Sequence, residues 1–214
     1  MMNFTYLTRL SSPDTKLPPK VIMTDDPMRV KMLAAHWLDN AALLYELRGM
    51  TGYTGKYKDE EIAVLATGFG GSSARLYMHD AALLGMRSVI YLGECIAQVQ
   101  GIRLRDVIIA AGGDRLMTER ALDIASQFSL PVSVREVNSC ERFYSDDRQI
   151  AADIIDFASE SVAEFAEGHG IAAISVLTVS QNTATGERME EHERQSRFHD
   201  AARLAFEVMA SCGT

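Results

Sequence analysis

A glycine-rich stretch between a strand pattern and a helix pattern holds the first group of residues suited to chemistry. The apolar run Ile62–Ala66 has the length of a buried strand, and the sequence GFGG at positions 68–71 follows it closely. Ser72 or Ser73 can cap a helix that runs to Gly85. Such a loop can present backbone amides and a helix N-terminus to an anionic or polar ligand. A tight connection without a ligand explains the pattern as well, because the spacing matches neither the dinucleotide nor the P-loop fingerprint.

Charged residues follow a shorter predicted strand, Val21–Met23, and form the second group. Pro27 suits the first position of a helix that is expected to reach about Leu38. Asp25 therefore lies where a strand ends and a helix begins, one helical turn before Arg29. A carboxylate at this junction can activate a water molecule, and it can equally cap the helix and pair with the arginine.

The elements that must position these residues alternate between strand and helix. Further strand patterns are Leu43–Leu47, a hairpin of Tyr53–Tyr57 with Ile62–Ala66 closed over Lys58–Glu60, then Arg87–Leu92, Asp106–Ala111, Val132–Val137 and Ile171–Val179. Helical patterns are Thr118–Phe128, Asp147–Ala166 and Glu190–Ala210, and the segments 48–52, 93–95 and 180–188 are expected to be turns or loops. This alternation predicts an α/β fold, a three-layer α/β/α sandwich with a mixed, largely parallel central sheet. Residues 1–20 are expected to form an N-terminal arm, and residues 21–214 a single domain.

Composition narrows the class of protein. The chain has 214 residues, 47% of them hydrophobic, and a net charge of −8 without a cluster of Lys and Arg, which argues against a nucleic-acid partner. The three cysteines, Cys95, Cys140 and Cys212, are odd in number and lack metal-ligand spacing, so reduced thiols and no bound metal or cofactor are expected. No apolar run is long enough for a membrane span and no signal peptide is evident. These features predict a cytoplasmic protein that does not bind a membrane.

Several motifs carry a resemblance to a known family. The segment VIMTDDPMR at 21–29 is similar to a strand that ends in Met-Pro-Gly-Asp-Pro-x-Arg, and RGMTGYTG at 48–55 matches Arg-Gly-Met-x-Gly-x-Thr-Gly. Gly68-Phe69-Gly70 corresponds to a Gly-x-Gly loop, and Thr178-Val179-Ser180 to the strand before a catalytic loop. The chain thus resembles the nucleoside phosphorylase family, of the hexameric bacterial purine nucleoside and uridine phosphorylase type. The resemblance spans nearly everything from Val21 to Met209.

The resemblance implies an anion site that has changed. Arg29 and Arg48 occupy positions of two phosphate-binding arginines, the second of which the family donates across a subunit boundary. A glycine, a third arginine and a serine of the family's site are replaced here by Asp25, Tyr91 and Glu94. Carboxylates beside a phosphate dianion are unfavourable in a partly desolvated pocket, so phosphate is expected to bind poorly. The use of Arg48 across a boundary implies a homo-oligomer built from dimers, with a hexamer as the family's assembly.

The resemblance also implies nucleoside-binding positions, which are Phe69, Phe143, Asp156, Phe157 and Ser180. The two aromatic residues Phe143 and Phe157 can equally be ordinary core residues. The family's ribose-binding carboxylate is missing, because an alanine stands in its place. Without the family as a template, residues 148–166 form one continuous amphipathic helix, and Asp156 would then not enter a ribose site. With it, a strand and then a helix are expected.

The implied catalytic positions are altered as well. The family's general acid is an aspartate directly after Thr-Val-Ser, where this chain has Gln181, while the neighbouring Arg194 is retained. An amide donates a hydrogen bond but does not transfer a proton. The expected function is therefore recognition of a nucleoside-like ligand with impaired or redirected glycosidic-bond cleavage. The alternatives are a nucleosidase that uses water, with Asp25 or Glu94 as general base, and a non-catalytic binding or scaffolding protein.

Overall fold

The computed structural model describes residues 17–140, 152–190, 192–193 and 198–212. Bounds are defined there for eleven strands and five helices. The strands are β1 Lys20–Thr24, β2 Asp39–Leu47, β3 Met50–Tyr57, β4 Glu60–Ala66, β5 Ser88–Ala97, β6 Val107–Ala110, β7 Val132–Arg135, β8 Asn138–Ser139, β9 Ile154–Asp156, β10 Ala172–Asn182 and β11 Glu187–Arg188. The helices are α1 Pro27–Trp37, α2 Gly71–Leu83, α3 Arg115–Gln127, α4 Ser159–His169 and α5 His199–Ser211.

The strands form one mixed sheet with the order β2-β3-β4-β1-β5-β10-β6-β7. The pairs β4–β1, β1–β5 and β5–β10 are parallel, so the four central strands end at the same edge. The hairpin β2–β3 and the pairs β3–β4 and β10–β6 are antiparallel. Because β1, β5 and β10 lie side by side in parallel, the residues that follow or end these strands are brought together.

Two apolar layers cover the two faces of this sheet. Alternate residues such as Val21 and Val89 pack with α2 and α4, while Ile22 and Ile90 face the other way and pack with α1, α3 and α5. This alternation is the period of two that a strand buried on both faces requires. The predicted α/β/α sandwich with a mixed sheet is therefore confirmed.

Two strands extend beyond their predicted ends. β5 continues through Glu94 to Ala97, so the segment 93–95 is strand and not a loop, and β10 continues to Asn182. These extensions pair with each other, with Gln181 opposite Ile96 and Asn182 opposite Ala97. The local sequence at Gly93 resembles a loop, but pairing with a long neighbouring strand overrides that preference.

The turn expected at 48–52 is shorter than predicted. Met50 already begins β3, and the two-residue connection Arg48-Gly49 has positive φ angles of 55° and 79°. Positive φ at both central residues is the geometry of a two-residue hairpin turn whose twist matches the flanking strands. Arg48 is therefore held at the tip of the β2–β3 hairpin.

Two predicted helices are interrupted. The continuous helix over 147–166 is wrong where the structure describes it, because Ile154–Asp156 is strand β9, paired with β5, and α4 begins only at Ser159. The helix expected over 190–210 is likewise not continuous, since α5 begins at His199 and the preceding Phe198 is not helical. Both segments have helical periodicity, and in the first the pairing of β9 with β5 breaks the helix.

Candidate functional site

A cavity of about 340 Å³ opens where β1, β5 and β10 end. Eight of the residues singled out from the sequence line it together with three others: Asp25, Phe69, Tyr91, Glu94, Ile96, Asp156, Phe157, Ser180, Gln181, Arg188 and Met189. Carboxyl ends of parallel strands are the usual location of ligand sites in α/β sheets. The structure therefore gathers most of the candidate residues in one place.

Arg29 lies behind the wall of this cavity, where both terminal nitrogens of its guanidinium are bonded to the protein. Its guanidinium donates to Asp25 Oδ1, to Glu94 Oε1 and to Thr24 Oγ1, each at 2.8 Å. The ring of Phe198 covers it, with the Cζ atom 3.9 Å from the ring centroid. The residue is 1% exposed. A buried guanidinium requires such partners, and here two cavity-lining carboxylates provide them.

Asp25 is the carboxylate of this group with a shifted pKa. Burial raises the pKa of its carboxyl, the Arg29 guanidinium lowers it, and the nearby charges of Glu94 and Asp26 raise it further, with a net increase. The hydrogen bond to Met28 N that caps α1 is accepted by Asp26 at 2.7 Å. The expectation that Asp25 caps this helix is therefore wrong, whereas its pairing with Arg29 is confirmed.

Tyr91 lies among these charges in the cavity wall and is 4% exposed. Burial raises the pKa of its phenol well above the usual value, and the carboxylates of Asp25, Asp156 and Glu94 act in the same direction. The side chain is therefore a neutral phenol that can donate one hydrogen bond and carries no positive charge.

Two aromatic rings form another wall of the cavity. The rings of Phe69 and Phe157 have centroids 4.7 Å apart at an interplanar angle of 38°, and Phe69 is 67% exposed. The loop that carries Phe69 is shaped by positive φ angles at Gly68 and Gly70. The expected serine cap of α2 is wrong, because Gly70 is the cap residue without a side-chain bond and Ser73 Oγ donates to Thr67 O instead. An exposed aromatic face beside a cavity is available to a flat ligand.

Asp156 lines the cavity but has its carboxylate oxygens occupied. Oδ1 accepts from Ser139 Oγ at 2.5 Å and from Ser159 Oγ at 2.9 Å, and Oδ2 accepts from Ser159 N at 2.8 Å and from Ala158 N at 3.3 Å. The carboxylate thus satisfies backbone amides at the start of α4. Of the two descriptions of this segment, the strand followed by a helix is the one that the structure has.

Gln181 and Arg188 lie opposite each other on β10 and β11, and both line the cavity. Ser180, one residue earlier, donates from Oγ to Cys95 O at 3.4 Å. Arg188, Ile96 and Met189 line the cavity but were not among the residues selected from the sequence. The available signal for Arg188 was Thr185-Gly186, a turn-forming pair that could have indicated a hairpin within the segment read as a loop.

Besides Arg29, three selected residues are not among the described residues that line this cavity. Arg48 is exposed at the hairpin tip, where its charge acts on Tyr77 rather than on the cavity-lining groups. Phe143 and Arg194 lie outside the described residues. The arginine pair expected at one anion site is therefore not assembled by the described part of a single chain.

The described ranges contain neither a metal-binding cluster nor a membrane-spanning helix. No group of three or more His, Cys, Asp or Glu side chains in them is arranged to hold a metal ion. No helix in the described part of the chain is long and apolar enough to cross a membrane.

The chain is similar in sequence and in fold to purine nucleoside phosphorylases. No family model matches the chain. It is 32% identical over 212 residues to a DeoD-type purine nucleoside phosphorylase of Bacillus subtilis, covering 86% of this chain and 91% of that protein. The DeoD-type purine nucleoside phosphorylase of Bacillus velezensis is 30% identical over 217 residues, covering 89% and 94%. The crystal structure of the Toxoplasma gondii purine nucleoside phosphorylase in complex with immucillin-H shares the fold, with a TM-score of 0.82, 17% identity and 91% of each chain covered.

Proposed function

Because the chain belongs to the nucleoside phosphorylase family, whose DeoD-type purine members it matches over most of its length, we propose that its cavity binds a purine nucleoside or a nucleoside-like ligand. We also propose that cleavage of the glycosidic bond by phosphate is impaired in it. The cavity volume of about 340 Å³ is within the range of small-ligand sites. The exposed ring of Phe69 beside Phe157 supports binding of a flat base.

The proposal of impaired phosphorolysis rests on one observation. The Arg29 guanidinium already forms ion pairs with both Asp25 and Glu94. A phosphate ion at this position would have to displace one or both carboxylates from the guanidinium or lie against them. Two like charges about 4 Å apart repel by roughly 4 kcal/mol at an effective dielectric constant of about 20. A single buried arginine shared with two carboxylates does not offset that repulsion for a dianion.

Gln181 supports the same proposal from the other side of the cavity. Its amide can hydrogen-bond to a base, but it has no titratable proton to give to the leaving group. A positioned general acid typically contributes about 10²–10⁴-fold to a rate. Turnover with phosphate is therefore expected to be far below the usual enzyme median of about 10 per second.

A second candidate function is hydrolysis, which the state of Asp25 favours. This carboxylate lines the cavity, and its raised pKa makes it a stronger base than an ordinary aspartate. In that reaction Asp25 takes a proton from a water molecule, the water oxygen bonds to the sugar carbon, and the base leaves with the bonding electrons. A non-catalytic binding protein is the remaining alternative.

Calorimetry and an activity assay test these proposals together. We expect inosine or adenosine to bind without phosphate, added phosphate to leave the affinity unchanged, and phosphorolysis to be very slow. Turnover near 10 per second at saturating phosphate would contradict impaired phosphorolysis. Failure of both nucleosides, and of a wider nucleoside panel, to bind would contradict the binding proposal.

Substitutions of Asp25 and Glu94 test whether these two carboxylates are the cause of weak phosphate binding. The double variant D25G/E94S restores the residue types that the family has at these positions and frees the Arg29 guanidinium, so we expect phosphate to bind measurably more tightly to it. Glu164→Ser, which removes an exposed carboxylate on α4, is the matched control for the loss of one charge. Release of free base without phosphate that disappears in Asp25→Asn would identify hydrolysis, and its absence from the wild type would favour the non-catalytic alternative.

A further inference from the structure

Two polar side chains of the cavity have no partner of their own among the described residues. Gln181 on β10 and Arg188 on β11 are in direct register across an antiparallel pair and both line the cavity. Directly opposed residues project from the same face of such a pair, with Cβ atoms about 4.5–5.5 Å apart. Neither side chain makes a hydrogen bond or an ion pair to any residue in the described ranges. The two groups are thus available together to a ligand.

Their hydrogen-bonding capacities differ. The amide of Gln181 offers both donors and an acceptor, so it can adapt to either kind of ligand atom. The guanidinium of Arg188 offers donors in a fixed planar fork and no acceptor. The pair therefore favours a ligand edge whose atoms accept hydrogen bonds. Arg188 sets this preference, because its guanidinium can only donate.

Purine bases differ at the edge that such a fork can contact. A 6-oxopurine presents two acceptors there, N7 and O6, and arginine binds this pair with two parallel hydrogen bonds. Adenine presents the N7 acceptor beside the N6 amino donor, which would oppose a donor of the guanidinium. One good bidentate contact discriminates between such edges by a factor of about ten or more.

The other charged groups of the cavity are already engaged. Arg29 is held by Asp25 and Glu94, so its guanidinium is not offered to the ligand. Asp156 accepts four hydrogen bonds from its own neighbourhood, two of them from serine hydroxyls. Among the described lining residues, Arg188 is the positively charged group that faces the cavity without a carboxylate partner.

We propose that Arg188 binds the N7 and O6 atoms of a 6-oxopurine, with Gln181 beside it, and that the cavity therefore selects inosine-like or guanosine-like nucleosides over adenosine. This inference rests on the proposed binding of a purine nucleoside in the same cavity. In this arrangement Arg188, on the β10–β11 hairpin, determines which base is bound. The base then lies at the β10–β11 side of the cavity. The sugar then lies towards Asp25 and Glu94.

Binding affinities of inosine and adenosine test the assignment. We expect the wild type to bind inosine about tenfold more tightly than adenosine. Arg188→Ala should lower inosine affinity about tenfold and change adenosine affinity less than about twofold, so that the preference is lost. Arg188→Lys keeps the charge but loses the fork and should retain only part of the preference. Arg75→Ala removes an exposed arginine on α2 and is the matched control.

A ligand without the N7 acceptor gives an independent check. 7-Deazainosine should bind the wild type more weakly than inosine, whereas Arg188→Ala should bind the two equally. Equal loss of inosine and adenosine in Arg188→Ala, or a wild-type preference for adenosine, would overturn the role of Arg188 while leaving nucleoside binding intact. If neither nucleoside binds the wild type, the proposed function fails and this inference fails with it.

Discussion

At the scale of single residues, the state of Arg29 decides what the cavity can bind. The guanidinium donates to two carboxylates from different segments, Asp25 after β1 and Glu94 within β5. An external anion would have to take the place of a carboxylate that this buried guanidinium already bonds, and breaking such a buried pair is costly. The guanidinium donors that could bind a phosphate are thus used in bonds within the protein.

The raised pKa of Asp25 gives a prediction for stability against pH. Because the folded protein binds the proton at Asp25 more tightly than the unfolded chain does, this carboxyl stabilises the fold fully below the ordinary pKa of 3.8. Its contribution is lost as the pH rises through the raised pKa. The free energy of unfolding of the wild type relative to Asp25→Asn should therefore fall as the pH rises above 3.8 through the raised pKa, as measured by urea denaturation. A difference that is constant or rises over this interval would contradict the raised pKa.

At the scale of elements, the break between β9 and α4 places Asp156 at a helix start. Three residues of strand pair with β5, and the chain then turns into α4 with the Asp156 carboxylate bonded to Ser159 N. The residue is 1% exposed, so its polar side chain needs these hydrogen-bond partners. Asp156 therefore contributes to the cavity wall mainly by fixing the position of Phe157 and the start of the helix.

Removing this carboxylate should lower stability. Asp156→Ala leaves two buried backbone amides and two serine hydroxyls without their acceptor, at an expected cost of about 1–3 kcal/mol. Asp156→Asn keeps one acceptor oxygen and should lose less. Thermal unfolding measures both variants, and Asp153→Ala, an exposed aspartate just before β9, is the matched control. Unchanged melting of Asp156→Ala would show that the carboxylate does not hold this junction.

At the scale of the whole molecule, the described part of one chain does not complete the anion site. Arg48 is exposed at the tip of the β2–β3 hairpin, and β2 is the edge strand of the sheet with Leu43 54% and Leu47 38% exposed. Both apolar clusters pack on one sheet, which supports the proposal that residues 21–214 act as one domain. Exposed leucines on an edge strand are a liability in a monomer and are suited to a subunit interface.

We accordingly expect a homo-oligomer built from dimers through the β2–β3 hairpin. Light scattering at micromolar concentration should give at least twice the mass of one chain, and Leu43→Glu should shift the protein towards the monomer. Leu116→Glu on α3, near the opposite edge of the sheet, is the matched control and should not change the mass. A wild type that is strictly monomeric would leave Arg48 without access to a neighbouring site.

The sequence by itself determined the class of fold and most of the residues around the cavity, because apolar periodicity and the motifs at 21–29, 48–55 and 178–180 are local signals. The tertiary structure decided the rest. Arg29 and Glu94 are 65 residues apart in the sequence. They are bonded because the parallel pairing of β1 with β5 brings them together. Asp26 rather than Asp25 caps α1, because backbone geometry selects one of two adjacent carboxylates. The position of Arg188 opposite Gln181 likewise depends on a hairpin register that composition does not encode.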